Sequence, residues 1–215
     1  LAANFPQPSE IVPEYRSRNP AVRWLFHKRL DVALRLGRLE GRLRVADLGC
    51  GEGLFLKRLR DASPELVLVG IDHNPNAAAL TIPGAAVRQG DLTSPQTLAP
   101  GSFDRIFCLD VLEHIEDLTG PLALIRGALA PQGLLVISAP SENVFHKTCR
   151  FLIKGTFSEV AGPASSPHYH RAATLRRDIA AAGFEILEDA ALPLPGPLSL
   201  LRLTSFRKRG ERRED

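Results

Sequence analysis

Residues 45–53 read Val-Ala-Asp-Leu-Gly-Cys-Gly-Glu-Gly: an apolar strand ending breaks into glycines at alternate positions, Gly49, Gly51 and Gly53, just before the helix-forming run Leu54 to Arg60. A strand, a glycine turn and a helix in this order make an α/β unit. Glycine lets the backbone turn sharply and approach a ligand with no Cβ in the way, and the next helix offers free N–H groups in its first turn. The spacing is not the Gly-x-Gly-x-x-Gly that holds a pyrophosphate. Asp47, two residues before the first glycine, suits a ligand carrying positive charge, such as a cationic nucleoside. Such a turn can also serve only to pack a strand on its helix, so acids further along the chain decide between the two readings.

A second apolar, β-branched run, Val67 to Ile71, ends in Asp72, about twenty residues past the glycines, where a carboxylate at a strand end can accept both hydroxyls of a ribose. Asp72 could instead cap the stretch from Pro75 to Leu80. Ribose is preferred, because a carboxylate that merely caps has no need to follow an apolar strand in the same unit as the glycine turn. A third strand, Ala86 to Gln89, ends at Gly90-Asp91-Leu92. Asp91 is either an acceptor for an exocyclic amine such as that of adenine or an ordinary turn aspartate. A fourth strand, Phe103 to Leu109, leads into Asp110-Val111-Leu112-Glu113-His114, and a fifth, Leu134 to Ala139, follows Ala130-Pro131-Gln132-Gly133.

In order and spacing these segments, with Gly70-Ile71-Asp72 and Leu129 to Leu134, resemble the motifs of class I S-adenosylmethionine-dependent methyltransferases over roughly residues 45–140. His170-Arg171 and Ala182-Gly183-Phe184 are similar to the last helix and sixth strand of small-molecule and quinone-type members. The resemblance implies a Rossmann-like, open, seven-stranded, mostly parallel α/β sheet flanked by helices, with S-adenosyl-L-methionine as cofactor. It further implies that Asp47, Gly49, Cys50, Gly51 and Gly53 line the methionine part and that Asp72, with His73 beside it, holds the ribose. Asp91 and Leu92 would contact adenine, and Asp110 with Val111 would floor the pocket beneath the sulfonium. Cys50 is read as a small side chain filling a tight turn rather than as a reactive thiol.

The map expected from this is one methyltransferase domain over residues 1–215: an N-terminal lid helix (1–40), a cofactor-binding core (41–139), an inserted lid (140–167), a C-terminal helix and strands (168–208) and a charged tail (209–215). A hydrophobic fraction of 44% can fill one such core. No apolar run of about eighteen residues and no export signal is present, and Cys50, Cys108 and Cys149 show neither pairing nor metal-ligand spacing, so a cytoplasmic enzyme with no metal is expected. The net charge of +3 is uneven: residues 1–44 carry nine basic against four acidic side chains, residues 45–201 twelve against seventeen, and residues 202–215 six against three. The basic ends could attract an anionic membrane surface or an acidic substrate. Nucleic acid is disfavoured, because the cations are not interleaved with stacking aromatics.

Asn19-Pro20 predicts a capped helix over Ala21 to Leu36, stopped by Gly37, with Val22, Leu25, Phe26 and Ala33 on one face and Tyr15 upstream as a lid contact. Within the insertion Pro140 to Pro167, the stretch Val144 to Lys154 is amphipathic if helical. Phe145, Cys149 and Leu152 oppose Lys147, Arg150 and Lys154, a pattern suited to roofing an apolar acceptor or lying on an anionic membrane. The final strand is expected near Leu201 to Lys208.

Methyl transfer from a sulfonium is an in-line displacement, so the protein's main task is alignment, and a base is needed only where the acceptor loses a proton. His114, His146, His168 and His170 border the expected pocket, with His114 and His170 the candidate catalytic pair; each could equally fix its own loop. Leu109-Asp110-Val111-Leu112 stands where enzymes acting on base amino groups carry Asn or Asp with Pro-Pro and an aromatic, and Glu113-His114 replaces the paired-glutamate loop of arginine methyltransferases. The leading acceptor is therefore a small, apolar or membrane-associated molecule, taking the methyl on oxygen, nitrogen or carbon. The competing expectation is a non-catalytic binding or scaffold domain of the same fold.

Overall fold

Strand order around β1 (Arg44–Leu48) positions the site. In the computed structural model, which describes residues 13–141 and 169–210, β1 pairs in parallel with β2 (Val67–Asp72) on one side and β4 (Phe103–Leu109) on the other. The seven-stranded sheet runs β3-β2-β1-β4-β5-β7-β6, with β3 at Ala85–Gln89, β5 at Leu129–Pro140, β6 at Phe184–Pro193 and β7 at Ser199–Lys208. Only β7 runs antiparallel to its neighbours, so the sheet is the mostly parallel, Rossmann-like one expected. Because the order reverses between β1 and β4, the crossovers leave toward opposite sides there and a crevice opens at the carboxyl ends of the strands.

Apolar side chains on alternate strand positions fill two cores. One face, with Ile106, Leu135 and Phe206, packs beneath α3 (Thr119–Ala128) and α4 (Ala172–Ala181). The other, with Phe107, Val136 and Leu203, packs beneath α1 (Pro20–Gly37) and α2 (Leu54–Ala62). Truncating a ring such as Phe107, which has no exposed surface, would cost about 3–5 kcal/mol.

Local chemistry sets the limits of α1. Asn19 Oδ1 accepts the Ala21 N–H at 3.0 Å and Pro20 occupies the first turn. The far end differs from expectation. Arg38, at φ 47°, takes the left-handed position, whereas Gly37 is the last residue of the helix, where a Cβ would stand 2.5 Å from the Phe107 ring. Gly37 is thus small for packing, not for chain reversal. The buried stripe also differs: Leu25, Arg29, Leu30, Val32, Ala33 and Leu36 face inward, while Val22 and Phe26 are half-buried. β5 starts at Leu129 rather than Leu134, because Leu129 pairs with Phe103 before an irregularity in the ladder that takes up the intervening residues. The segment Val144 to Lys154, most of the insertion 140–167, His146, His168 and the tail beyond residue 210 lie outside the described residues.

Candidate functional site

The glycine turn forms because β1 ends against β2: Gly49 N–H and Cys50 N–H both donate to the Ile71 carbonyl, at 2.7 and 3.2 Å. Gly49 lies at φ 74°, and a Cβ on it would meet Val111 Cγ2 at 2.3 Å, so only glycine lets the end of β4 close on the turn. Gly51 N–H donates to Asp72 Oδ2 at 2.8 Å, and Gly53 ends the turn as the cap residue of α2. Cys50 is buried. Burial first, then the carboxyls of Asp47 and Asp72, push its thiol up to about 12, which suits packing and not nucleophilic use.

Asp72 is buried at the tip of β2, and its second oxygen accepts the Asn74 N–H at 2.9 Å. The short 3-10 turn Pro75–Ala79 is capped by Asn74, whose Oδ1 accepts from Asn76 N, so the capping alternative for Asp72 falls away. His73 is largely exposed, with Nδ1 3.4 Å from Asp72 Oδ1. Asp91 is exposed and Leu92 buried. The backbone and side chain of Thr93 hydrogen-bond Asp91 and hold its carboxyl below the usual range. An open groove of about 490 Å³ passes His73, Gln89, Gly90 and Asp91.

Asp47 shows the strongest electrostatic perturbation of the site. It is buried beside Asp72, and burial followed by that like charge raises its carboxyl to about 8, with Arg29 pulling the other way. Across the crevice, Asp110 sits in the left-handed region at φ 56° and accepts the Ser138 hydroxyl at 2.6 Å, while its other oxygen pairs with Arg29. Arg29 comes from α1, is buried, and lies 5.5 Å from the Tyr15 ring centroid and 5.2 Å from that of Phe26. Its guanidinium donates to the Tyr15 hydroxyl, and among the described residues its Nε has no acceptor. Beyond Tyr15, Arg16 Nη2 donates to Glu52 of the glycine turn at 3.1 Å, so the 3-10 turn Pro13–Arg16 is tied to the crevice from above.

Arg29 was missed in the sequence, although a signal was present. It interrupts the inward stripe Leu25, Ala33, Leu36 at helical spacing, where a cation has no reason to be buried unless the interior holds acids.

The histidines divide. His114 ends the 3-10 turn Leu112–His114, its backbone N–H donating to the Val111 carbonyl at 3.0 Å, and is half-buried beside the pocket floor. His170 has Nε2 3.1 Å from the Glu116 carbonyl and Nδ1 3.7 Å from Asp178, while its neighbour Tyr169 donates its N–H to the Glu113 carbonyl at 2.8 Å. The structure therefore gathers Asp47, Asp72, the glycine turn, Asp110 and Val111 at the carboxyl ends of β1, β2 and β4, with His73 and Asp91 on the neighbouring groove and Leu92 packed in the core. His170 is engaged as a latch between the loop after β4 and α4.

A family model described as a methyltransferase domain matches residues 21–189. A ubiquinone biosynthesis O-methyltransferase of Xanthomonas campestris pv. campestris is 36% identical over 107 residues, 44% of this chain and 42% of that protein. An uncharacterised protein of Synechococcus sp. is 32% identical over 149 residues, 64% of this chain and 35% of its own length. The chain thus spans well under half of these curated relatives. The structure of the N-methyltransferase NodS from Bradyrhizobium japonicum WM9 in complex with S-adenosyl-L-homocysteine shares the fold at a TM-score of 0.66 and 22% identity, covering 94% of this chain and 95% of that one.

Proposed function

This chain belongs to the class I S-adenosylmethionine-dependent methyltransferase family, and on that premise we propose that it moves a methyl group to oxygen, nitrogen or carbon of a small acceptor. The cofactor of the family is S-adenosylmethionine, whose sulfonium supplies an electrophilic methyl and leaves as a neutral thioether. One observation carries the fit of these residues to it. The buried Asp47 carboxyl and the buried Arg29 Nε, which has no acceptor among the described residues, bring a carboxyl and a cation to one crevice, the pairing that a zwitterionic amino-acid end requires once Asp47 gives up its proton.

In this reading Asp47 accepts the ammonium and Arg29 donates to the carboxylate. Gly49, Gly51 and Gly53 let the backbone approach, and Cys50 fills the turn behind them. Asp72 accepts the ribose hydroxyls on the lone pairs left by Gly51 and Asn74, flanked by His73. Asp91 and Leu92 border adenine, and Asp110 with Val111 floors the pocket. These groups align the donor and exclude water, which is the larger part of catalysis for such a displacement. Where the acceptor carries a proton, His114 or His170 takes it, and His170 also serves as a latch between the loop after β4 and α4.

Residues 1–215 act as one domain in this reading, in the cytoplasm, where Cys50 and Cys108 stay reduced. Among the described residues no helix is long and apolar enough to cross a membrane. The exposed Trp24, with Arg23 and Lys28 beside it on α1, and the exposed Leu194 and Leu198 between β6 and β7 favour peripheral contact with an anionic membrane that carries an apolar acceptor. The test is mass-spectrometric detection of S-adenosylhomocysteine and methylated product from pools of phenolic, carboxylic and amine acceptors, with and without phosphatidylglycerol vesicles. Cofactor binding with no product from any pool would favour the scaffold reading.

A further inference from the structure

Arg29 is held from three directions. Below it, Asp110 takes the guanidinium, and that carboxylate is oriented by Ser138: the buried hydroxyl donates to Oδ1 at 2.6 Å, and the Asp110 N–H donates back to the Ser138 carbonyl at 3.3 Å. Above it, the Tyr15 hydroxyl accepts from Nη2. Beside it, the Tyr15 and Phe26 rings stand edge to face, 5.5 Å apart at 84°, and both lie within cation–π range of the guanidinium. A free arginine side chain has many rotamers, whereas this one is fixed by the ion pair of Nη1 with Asp110 and the hydrogen bond of Nη2 to Tyr15, and among the described residues Nε has no acceptor.

Resting on the cofactor reading above, we propose that Tyr15 and Ser138 are positioning residues that pre-set the Arg29 guanidinium for the carboxylate of the cofactor's amino-acid end. Tyr15 acts from the N-terminal strap and Ser138 from the centre of the sheet. The strap's second tie, Arg16 to Glu52, joins the same clamp to the glycine turn, so strap and amino-acid end close as a unit. Discrimination follows. Ligands with the amino-acid portion use the clamp, and ligands that keep only the nucleoside and thioether do not.

Two probes separate this from general packing: S-adenosylhomocysteine, which carries the carboxylate, and 5′-methylthioadenosine, which lacks it. Calorimetric titration of the full chain should show Ser138→Ala weakening S-adenosylhomocysteine about tenfold and Tyr15→Phe about threefold, because each removes one hydrogen bond that orients a charged group. Binding of 5′-methylthioadenosine should change by less than about twofold, and Ser138→Thr should restore the wild-type value. Equal weakening of both ligands, or of neither, overturns the proposal. Should Ser138→Ala fail to fold, Tyr15→Phe, which keeps the ring and loses only the hydroxyl, decides alone. A wild-type chain that binds neither ligand removes the cofactor reading itself, and the clamp falls with it.

Discussion

At the end of the crevice proposed for the ribose, the carboxylate of Asp72 is held by the N–H groups of Gly51 and Asn74, all within one continuous β–α–β unit. At the end proposed for the amino-acid portion, the Arg29 guanidinium is held by Tyr15 from the turn Pro13–Arg16, Asp110 from the end of β4 and, through it, Ser138 from β5. The first arrangement forms wherever β1 and β2 pair. The second exists only once α1 has docked on the finished sheet, where Arg58 helps to pin it by donating to Asp31 at 3.0 Å and meeting His27 Nδ1 at 3.1 Å. Nucleoside affinity should therefore be built into the core, and affinity for the amino-acid end should depend on how the N-terminal segment sits.

The largest effect expected is at the local end. Asp72→Ala removes the acceptor for both ribose hydroxyls and leaves Gly51 N–H without its partner, so S-adenosylhomocysteine and 5′-methylthioadenosine should each weaken by about a hundredfold or more in calorimetry. Retained affinity for either ligand would remove the ribose role. The second effect separates the two ends. Arg29→Leu keeps the inward stripe of α1 apolar and deletes the guanidinium, so S-adenosylhomocysteine should weaken by about thirtyfold while 5′-methylthioadenosine is unchanged. If both ligands fell together, α1 would be acting on the fold of the crevice and the contrast between the ends would collapse.

The same contrast explains what could be read from the chain beforehand. β1, the glycine turn and Asp72 are contiguous, and their hydrophobic runs and turn residues are local signals. The alternative in which Asp72 caps the stretch from Pro75 to Leu80 also rests on local signals, and the cap there is Asn74, one residue before Pro75. Ser138 looked like any strand residue, because nothing in its neighbourhood says that an aspartate in the left-handed region will sit across from it. Arg29 was visible only as a misfit in an apolar stripe, and its partner Asp110 is far along the chain. Gly37 reads as a stop signal because a helix-ending glycine is the common case; the Phe107 ring that demands it belongs to β4.

Asp47 gives the smallest effect on binding and the sharpest sign. In the folded chain burial and Asp72 raise its carboxyl from 3.8 to about 8, so between those values the folded form keeps a proton that the unfolded form has lost. Stability is then highest at the acid side of that window and falls as pH rises through it. Asp47→Asn should therefore raise the melting temperature of the ligand-free protein, with a gain that is small at pH 5 and grows toward pH 8. Binding runs the other way. An ammonium group favours the ionised carboxylate, so wild-type affinity for S-adenosylhomocysteine should rise between pH 6 and 7.5 with release of a proton, by at most about tenfold per unit. At pH 7 ionising Asp47 offsets most of the ion-pair gain, and Asp47→Asn should weaken binding only about threefold. Titration in two buffers of different ionisation enthalpy reads the proton directly. A wild-type value that is flat in pH, with no proton released, would mean that the ammonium lies away from Asp47 and that the amino-acid end is recognised through the Arg29 side alone.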